Sequence, residues 1–207
     1  MNKTKYVDRL QKDKTVKVLL NILRLSDEEA YTHSLSVATI TEEFLNLMPD
    51  SEWTETQKEE IVTGALLHDI GKAFLPFHIQ SCSMSLKNIE LQIIQTHTNL
   101  GYSIISEIFP EIVSDIVLLH HERADGSGYP IIYDEGPIVF TEENIPDYVA
   151  LVSYADILDA LITEKSYRRG HSLAEAWKII ESEIDSQKLT YKFKNILFQF
   201  VQNNGMF

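Results

Sequence analysis

His33, His68, His97 and the pair Asp156 and Asp159 each fall on the apolar face of a different helical repeat. Val37, Ile40, Phe44 and Leu47 share the face of His33. Ile61 and Ala65 lead into His68, and Ile89, Ile93, Leu100, Ile104 and Ile108 flank His97. Val149 and Val152 run with the two aspartates. Spacings of three and four residues predict amphipathic helices whose apolar stripe packs inward. A lone histidine on such a stripe is more often a hydrogen-bonded core residue than a ligand. Taken together the set is different, because burying so many titratable groups is costly unless they pair or bind metal. The chain is therefore constrained to bring these helices together around one polar centre, as helix bundles do when they build metal sites.

The remaining pattern is also helical. Val16, Leu19, Leu20 and Leu23 predict a first amphipathic helix. Ser26 is placed to cap the next one, with Glu29 as its capping-box partner. Thr54 or Thr56 opens a helix that runs through His68 and closes at Gly71. The repeat from Ile89 to Ile108 reads as one long helix ended by Pro110. Further helices are expected over 112–121, after Pro146, over 174–184 and over 193–201. Glycine and proline cluster between Gly126 and Pro146, which reads as the one long loop. Strand-like alternation is absent, and the expected fold is an all-α bundle.

At 207 residues with 44% hydrophobic content, the chain suits one compact domain with an ample core. A formal net charge of −13 argues against duplex nucleic acid as a partner. A small anionic substrate is still compatible, since bound cations reverse the local field. Cys82 is the sole cysteine, so no intrachain disulfide forms, and no apolar run reaches membrane-spanning length. These features predict a soluble, cytoplasmic protein without membrane contact.

Two doublets concentrate the chemistry. His68-Asp69 lies in Leu66-Leu67-His68-Asp69-Ile70-Gly71-Lys72, and His120-His121-Glu122 runs into Asp125-Gly126-Ser127-Gly128-Tyr129-Pro130. Imidazole and carboxylate without cysteine is the ligand set of a hydrolytic or non-haem iron site. Adjacent helical residues diverge by roughly 100°, so His68 and Asp69 do not share a direction. A carboxylate such as Asp69 can instead use both oxygens and bridge two metals. His120 and His121 fall at a helix end, where the backbone can turn both rings inward. His78 and His171 read as solvated loop residues, and Asp125 as a turn-former. Lys72 suits either a helix C-terminal cation or a phosphate contact.

These motifs resemble the HD-GYP subgroup of the HD-domain phosphohydrolases. The match runs through Tyr31-Thr32-His33-Ser34, His68-Asp69-Ile70-Gly71-Lys72, Thr96-His97, His120-His121-Glu122 and the Asp125–Pro130 signature. It continues through Ile145-Pro146 and Ala155-Asp156-Ile157-Leu158-Asp159-Ala160-Leu161, covering roughly Ser26 to Lys178. The resemblance implies an N-terminal helix over 1–25 and an HD-GYP-like catalytic domain over 26–207. Its fold would be an HD-domain helical bundle with a buried di- or trinuclear centre, often iron or manganese. The implied activity is hydrolysis of cyclic di-GMP to the linear dinucleotide or GMP by a metal-bridging hydroxide. By the same resemblance His33, His68, Asp69 and Asp156 hold one metal. Asp69 bridges to a second held by His97, His120 and His121. Glu29 is placed like the extra carboxylate of trinuclear members, or is only a capping residue. Asp69 and Lys72 would act in catalysis, with Lys72, Tyr129, Lys165 and Arg168 contacting substrate.

The chain departs from the family pattern in three places. Lys165-Ser166-Tyr167-Arg168 stands where an arginine-proline-tyrosine run is usual, and lysine keeps the charge but loses the bidentate fork. Leu75-Pro76-Phe77 replaces an isoleucine-proline-aspartate run. The segment between Pro130 and Ile145 is long and carries Asp134, Glu135, Glu142 and Glu143. Two alternatives follow: a generic HD-domain phosphohydrolase of nucleotides or phosphate esters, and a catalytically weak HD-GYP domain that binds a nucleotide or partner. No sensory segment precedes the motifs, so a regulatory protein partner is expected.

Overall fold

The structure is a computed structural model that describes residues 4–49, 51–76, 88–133, 137–164 and 169–205. Two short helices open the chain, α1 (Lys5–Leu10) and α2 (Lys14–Ser26). The long α3 (Glu28–Leu47) follows at once. The cap of α3 is Asp27, whose side chain accepts from the Ala30 amide, and not Ser26. Ser26 still belongs to α2, and its hydroxyl donates to the Ala73 carbonyl 3.2 Å away.

Helix α4 (Glu55–Leu67) opens with a capping box between Thr54 and Gln57, as the sequence suggested for Thr54. It ends earlier than the sequence predicts. His68 keeps helical dihedrals, Asp69 turns out of them, and Ile70–Phe74 forms a 3-10 turn. Gly71 is not a left-handed helix cap, since positive φ among the described glycines occurs at Gly126 and Gly205. Its lack of a side chain serves a close approach, because a Cβ there would stand 1.9 Å from the His97 carbonyl oxygen.

The expected long helix is two, α5 (Asn88–Gln95) and α6 (His97–Ile105). The Thr96 amide bonds to Ile93 three residues back, which tightens the chain between the two helices. No residue of α5 is fully buried, and Ile89 and Ile108 are exposed, so that stretch of the apolar repeat does not face the core. Helix α7 (Glu111–Leu119) begins after Pro110. Then comes the glycine-rich segment, in which Ile132–Tyr133 and Pro137–Ile138 pair as a two-residue antiparallel ribbon. That ribbon is the one departure from an all-helical reading among the described residues. Helices α8 (Asp147–Ile162), α9 (Leu173–Asp185) and α10 (Lys194–Asn203) complete the chain.

Helices α3, α4, α7 and α8 form the central group. From Ile61 to Leu67 every residue of α4 is buried, as expected for a helix surrounded on all sides. Its neighbours contribute Val37, Phe44, Ile116, Val117, Leu151, Val152 and Leu158 to one continuous core. Helix α2 packs on α3 and on the 3-10 turn, and α6 packs on α7 and the same turn. The turn carrying Asp69 and Lys72 is thus wedged between two helices. No helix among the described residues is long and apolar enough to cross a membrane.

Candidate metal centre

Each histidine of the centre reaches it from a different structural position. His33 lies in the second turn of α3, His68 caps α4, and His97 opens α6. His120 and His121 follow the end of α7, and Asp156 sits midway along α8. The packing of α3, α4, α7 and α8 brings these side chains into two groups. His33, His68 and Asp156 form one, and Asp69, His97, His120 and His121 form the other, with donor atoms in each within 4.8 Å of one another.

Asp69 stands between the groups. Its Oδ2 lies 3.4 Å from His68 Nε2 and 4.0 Å from His33 Nε2. Its Oδ1 lies 3.3 Å from His97 Nε2 and 3.9 Å from His120 Nε2. Lys72 Nζ sits 2.6 Å from Oδ2. His33 Nε2 is 2.9 Å from Asp156 Oδ1, and His121 Nδ1 is 4.0 Å from Asp156 Oδ2. His97 and His120 face each other through Nε2 atoms 3.3 Å apart. His68 Nε2 and Asp69 Oδ1 are buried without a hydrogen-bond partner. Native interiors rarely tolerate such atoms. Convergent imidazole nitrogens around a carboxylate, with two of these atoms orphaned, fit a divalent cation in donor chemistry.

The electrostatics separate the two sides. Burial, reinforced by neighbouring histidines, lowers the pKa of His120 well below the ordinary histidine value. Burial also lowers His97, and brings His121 down to about 3. These rings are neutral at physiological pH and keep a lone pair for a ligand bond. His33 behaves oppositely. Burial pulls it down, but hydrogen bonds to Asp156 and Asp159 outweigh this and raise it to about 10. For Asp69, burial opposes ionisation, but Lys72 and His68 hold it well below the usual carboxylate range. Asp156 is depressed in the same way, chiefly by His33. Burial would lower Lys72, yet Asp69 raises it.

Exposure within the centre is unequal. His68, Asp69, His97 and His120 are sealed, whereas the side chains of Lys72, His121, His33 and Asp156 retain 27%, 21%, 13% and 10% of their exposure. Tyr129 is half-buried beside the partly exposed His121, its ring stacked on that imidazole with centroids 4.6 Å apart. Burial raises its phenol above the ordinary value.

The other residues singled out in the sequence divide clearly. Glu29 is exposed in the first turn of α3 and belongs to neither donor group. Lys165, Arg168 and His78 lie outside the described residues. Asp125 is an exposed turn residue whose Oδ1 accepts from the Ser127 amide and hydroxyl. His171 is a half-buried loop residue whose amide donates to Leu161 O. Sequence reasoning placed Asp159 inward but gave it no task, although its position one turn beyond Asp156 on α8 was the available signal. It accepts from His33 Nδ1 at 2.6 Å. Ser153 was missed: its hydroxyl donates to the His120 carbonyl at 2.7 Å and ties α8 to the end of α7. Glu122 is buried beside the doublet, and burial raises it to about 7.

A model of the HD domain family matches residues 30–161. A cyclic di-GMP phosphodiesterase of Thermotoga maritima is 35% identical over 79% of this chain and 43% of its own length. A cyclic di-GMP phosphodiesterase of Pseudomonas aeruginosa is 30% identical over 76% of this chain and 37% of its own length. The chain therefore spans less than half the length of either relative. Among solved structures, the HD domain of the L. monocytogenes phosphodiesterase PgpH, in complex with cyclic-di-AMP, superposes with a TM-score of 0.63. It is 19% identical and covers 90% of this chain and 94% of that one, a likeness of fold.

Proposed function

The chain belongs to the HD domain family and carries the HD-GYP motif set, and on that premise we propose that it is a metal-dependent phosphodiesterase that hydrolyses cyclic di-GMP. The observation that carries this reading is Asp69, whose two oxygens face separate groups of imidazoles deep in the bundle. The names of the two relatives support the substrate.

In this reading His33, His68, Asp69 and Asp156 hold one cation, and Asp69, His97, His120 and His121 hold the next. Iron or manganese suits the donors, and Glu29 would contribute if a third ion binds. Divalent cations there supply Lewis acidity toward phosphodiester oxygens and lower the pKa of water. The neutral rings of His97, His120 and His121 are ready to ligate without first losing protons. Lys72, fixed by Asp69 and partly exposed, offsets charge on the phosphoryl oxygens. Tyr129, stacked on His121, lines the path of the substrate. Lys165 and Arg168 would bind the second phosphate. The burial of His68, Asp69, His97 and His120 strengthens each of these electrostatic contacts. Products are the linear dinucleotide, GMP, or both.

The test is incubation of cyclic di-GMP with anaerobically purified protein loaded with Fe(II) or Mn(II), with product separation by chromatography. Cyclic di-AMP and cyclic GMP-AMP run in parallel, and Asp69→Ala is the control. Linear dinucleotide or GMP formed by the loaded wild type and not by Asp69→Ala supports the reading. Full metal occupancy without turnover of any of the three nucleotides overturns it.

A further inference from the structure

The imidazoles of the centre are oriented in two ways. Three of them use backbone carbonyls three or four residues earlier in the chain. His68 Nδ1 lies 2.8 Å from Ala65 O, His97 Nδ1 lies 2.7 Å from Ile94 O, and His120 Nδ1 lies 3.1 Å from both Ile116 O and Val117 O. In each case the proton sits on Nδ1 and Nε2 is left for the interior. His33 differs. Its Nδ1 meets a carboxylate from another helix, Asp159 Oδ2, at 2.6 Å.

Asp159 is itself held from two sides. Its Oδ1 accepts from the hydroxyl of Ser36, on the same helix as His33, and from Thr163 Oγ1 at 3.2 Å, the residue that caps α8. Both oxygens are therefore occupied within the protein. Asp159 is buried and belongs to neither group of converging donors. Its position is that of a carboxylate that orients a ligating ring, fixes its tautomer and strengthens its donor nitrogen.

We infer that Asp159 is a positioning residue that sets the affinity of the His33–His68–Asp156 group for a divalent cation, separately from the Asp69–His97–His120–His121 group. The inference rests on the metal centre proposed above. A carboxylate that clamps only His33 acts on one group alone. An ordinary buried structural carboxylate would, on removal, loosen the shared packing of α3 and α8 and weaken both groups together.

The experiment is equilibrium titration of the full chain with Mn(II), read by metal content and calorimetry, with circular dichroism to verify folding. Wild type, Asp159→Ala and the double variant Ser36→Ala/Thr163→Ala are compared, and His97→Ala marks which binding step belongs to the second group. Asp159→Ala is expected to weaken the step that His97→Ala spares by about 10–100-fold, and to leave the other within about twofold. The double variant, which frees the carboxylate without touching His33, is expected to weaken the same step by a smaller factor. Unchanged steps in Asp159→Ala, or equal losses in both, overturn the inference while leaving the metal centre standing. If Asp159→Ala does not fold, an unchanged step in the double variant overturns it. A folded wild type that binds no Mn(II) overturns the metal centre and the inference with it.

Discussion

A Cβ placed on Gly71 would stand 1.9 Å from the carbonyl oxygen of His97 and 2.7 Å from the amide nitrogen of Gly101. The obstacle is the backbone of α6, which cannot rotate aside as a side chain can. Gly71→Ala must therefore push α6 from the turn that carries Asp69, and it moves the helix whose first residue is His97. The expected cost is about 3 kcal/mol, at the upper end of ordinary overpacking. At about 2–4 °C per kcal/mol for a chain of this size, the midpoint should fall by about 6–12 °C in a thermal melt. A variant as stable as wild type would show that the two backbones separate freely.

Metal affinity should rise with pH. His33 keeps its proton up to about pH 10 because Asp156 and Asp159 outweigh the effect of burial. A cation that takes Nε2 must displace that proton, so affinity of its group gains up to about tenfold per pH unit and levels off above the folded pKa. For the metal-free protein the sign is the reverse. Stability from protonated His33 is fully present below its ordinary value of 6.5 and is lost as pH rises through about 10. Calorimetry in buffers of different ionisation enthalpy counts the released proton, and a pH-independent constant would contradict the assignment.

Tyr129 supports His121 by its ring, not its hydroxyl. The pair stacks with an interplanar angle of 27°. Tyr129→Phe should leave metal affinity unchanged, and Tyr129→Ala should lower it by roughly two- to tenfold, the equivalent of about 0.5–1.5 kcal/mol for an aromatic pair. Equal losses in the two variants, measured by competition with a chelator, would instead assign the effect to the phenol.

Glu42 fastens the N-terminal helix. Its buried carboxylate accepts from the amides of Tyr6 at 2.9 Å and Val7 at 3.0 Å, serving from α3 as the missing cap of α1. Glu42→Ala leaves both donors unpaired and should cost about 1.5–3 kcal/mol. Hydrogen exchange at residues 5–10 reads the loss locally, and protection there equal to wild type would mean that other contacts hold α1.

The helices that pack inward were legible because their apolar spacing and burial agree, as with Val37 and Phe44 on α3 or Val149 and Val152 on α8. The long repeat from Ile89 to Ile108 misled because apolar periodicity continues across Thr96, where a tighter backbone bond separates two helices. Gly71 looked like a helix stop, but the need for glycine comes from α6, which is distant in sequence. The side chains that converge around Asp69 could be read from residue type and motif order. The partner of His33 Nδ1 was harder to read, because Asp159 reaches His33 and Ser36 only after α3 and α8 pack. Residue type allows Asp69 to offer both oxygens, but the direction of each depends on the 3-10 turn that no spacing announces.

The unequal exposure of the centre governs traffic. Among the described residues of the centre, Lys72, His33, His121 and Asp156 keep solvent contact, whereas His68, His97 and His120 are sealed. On the proposed function, ions and a phosphodiester would approach past these four side chains. A nucleotide bound there would act as a stopper that slows the stripping of metal by chelators, and a departing product would stand in the way of the next molecule.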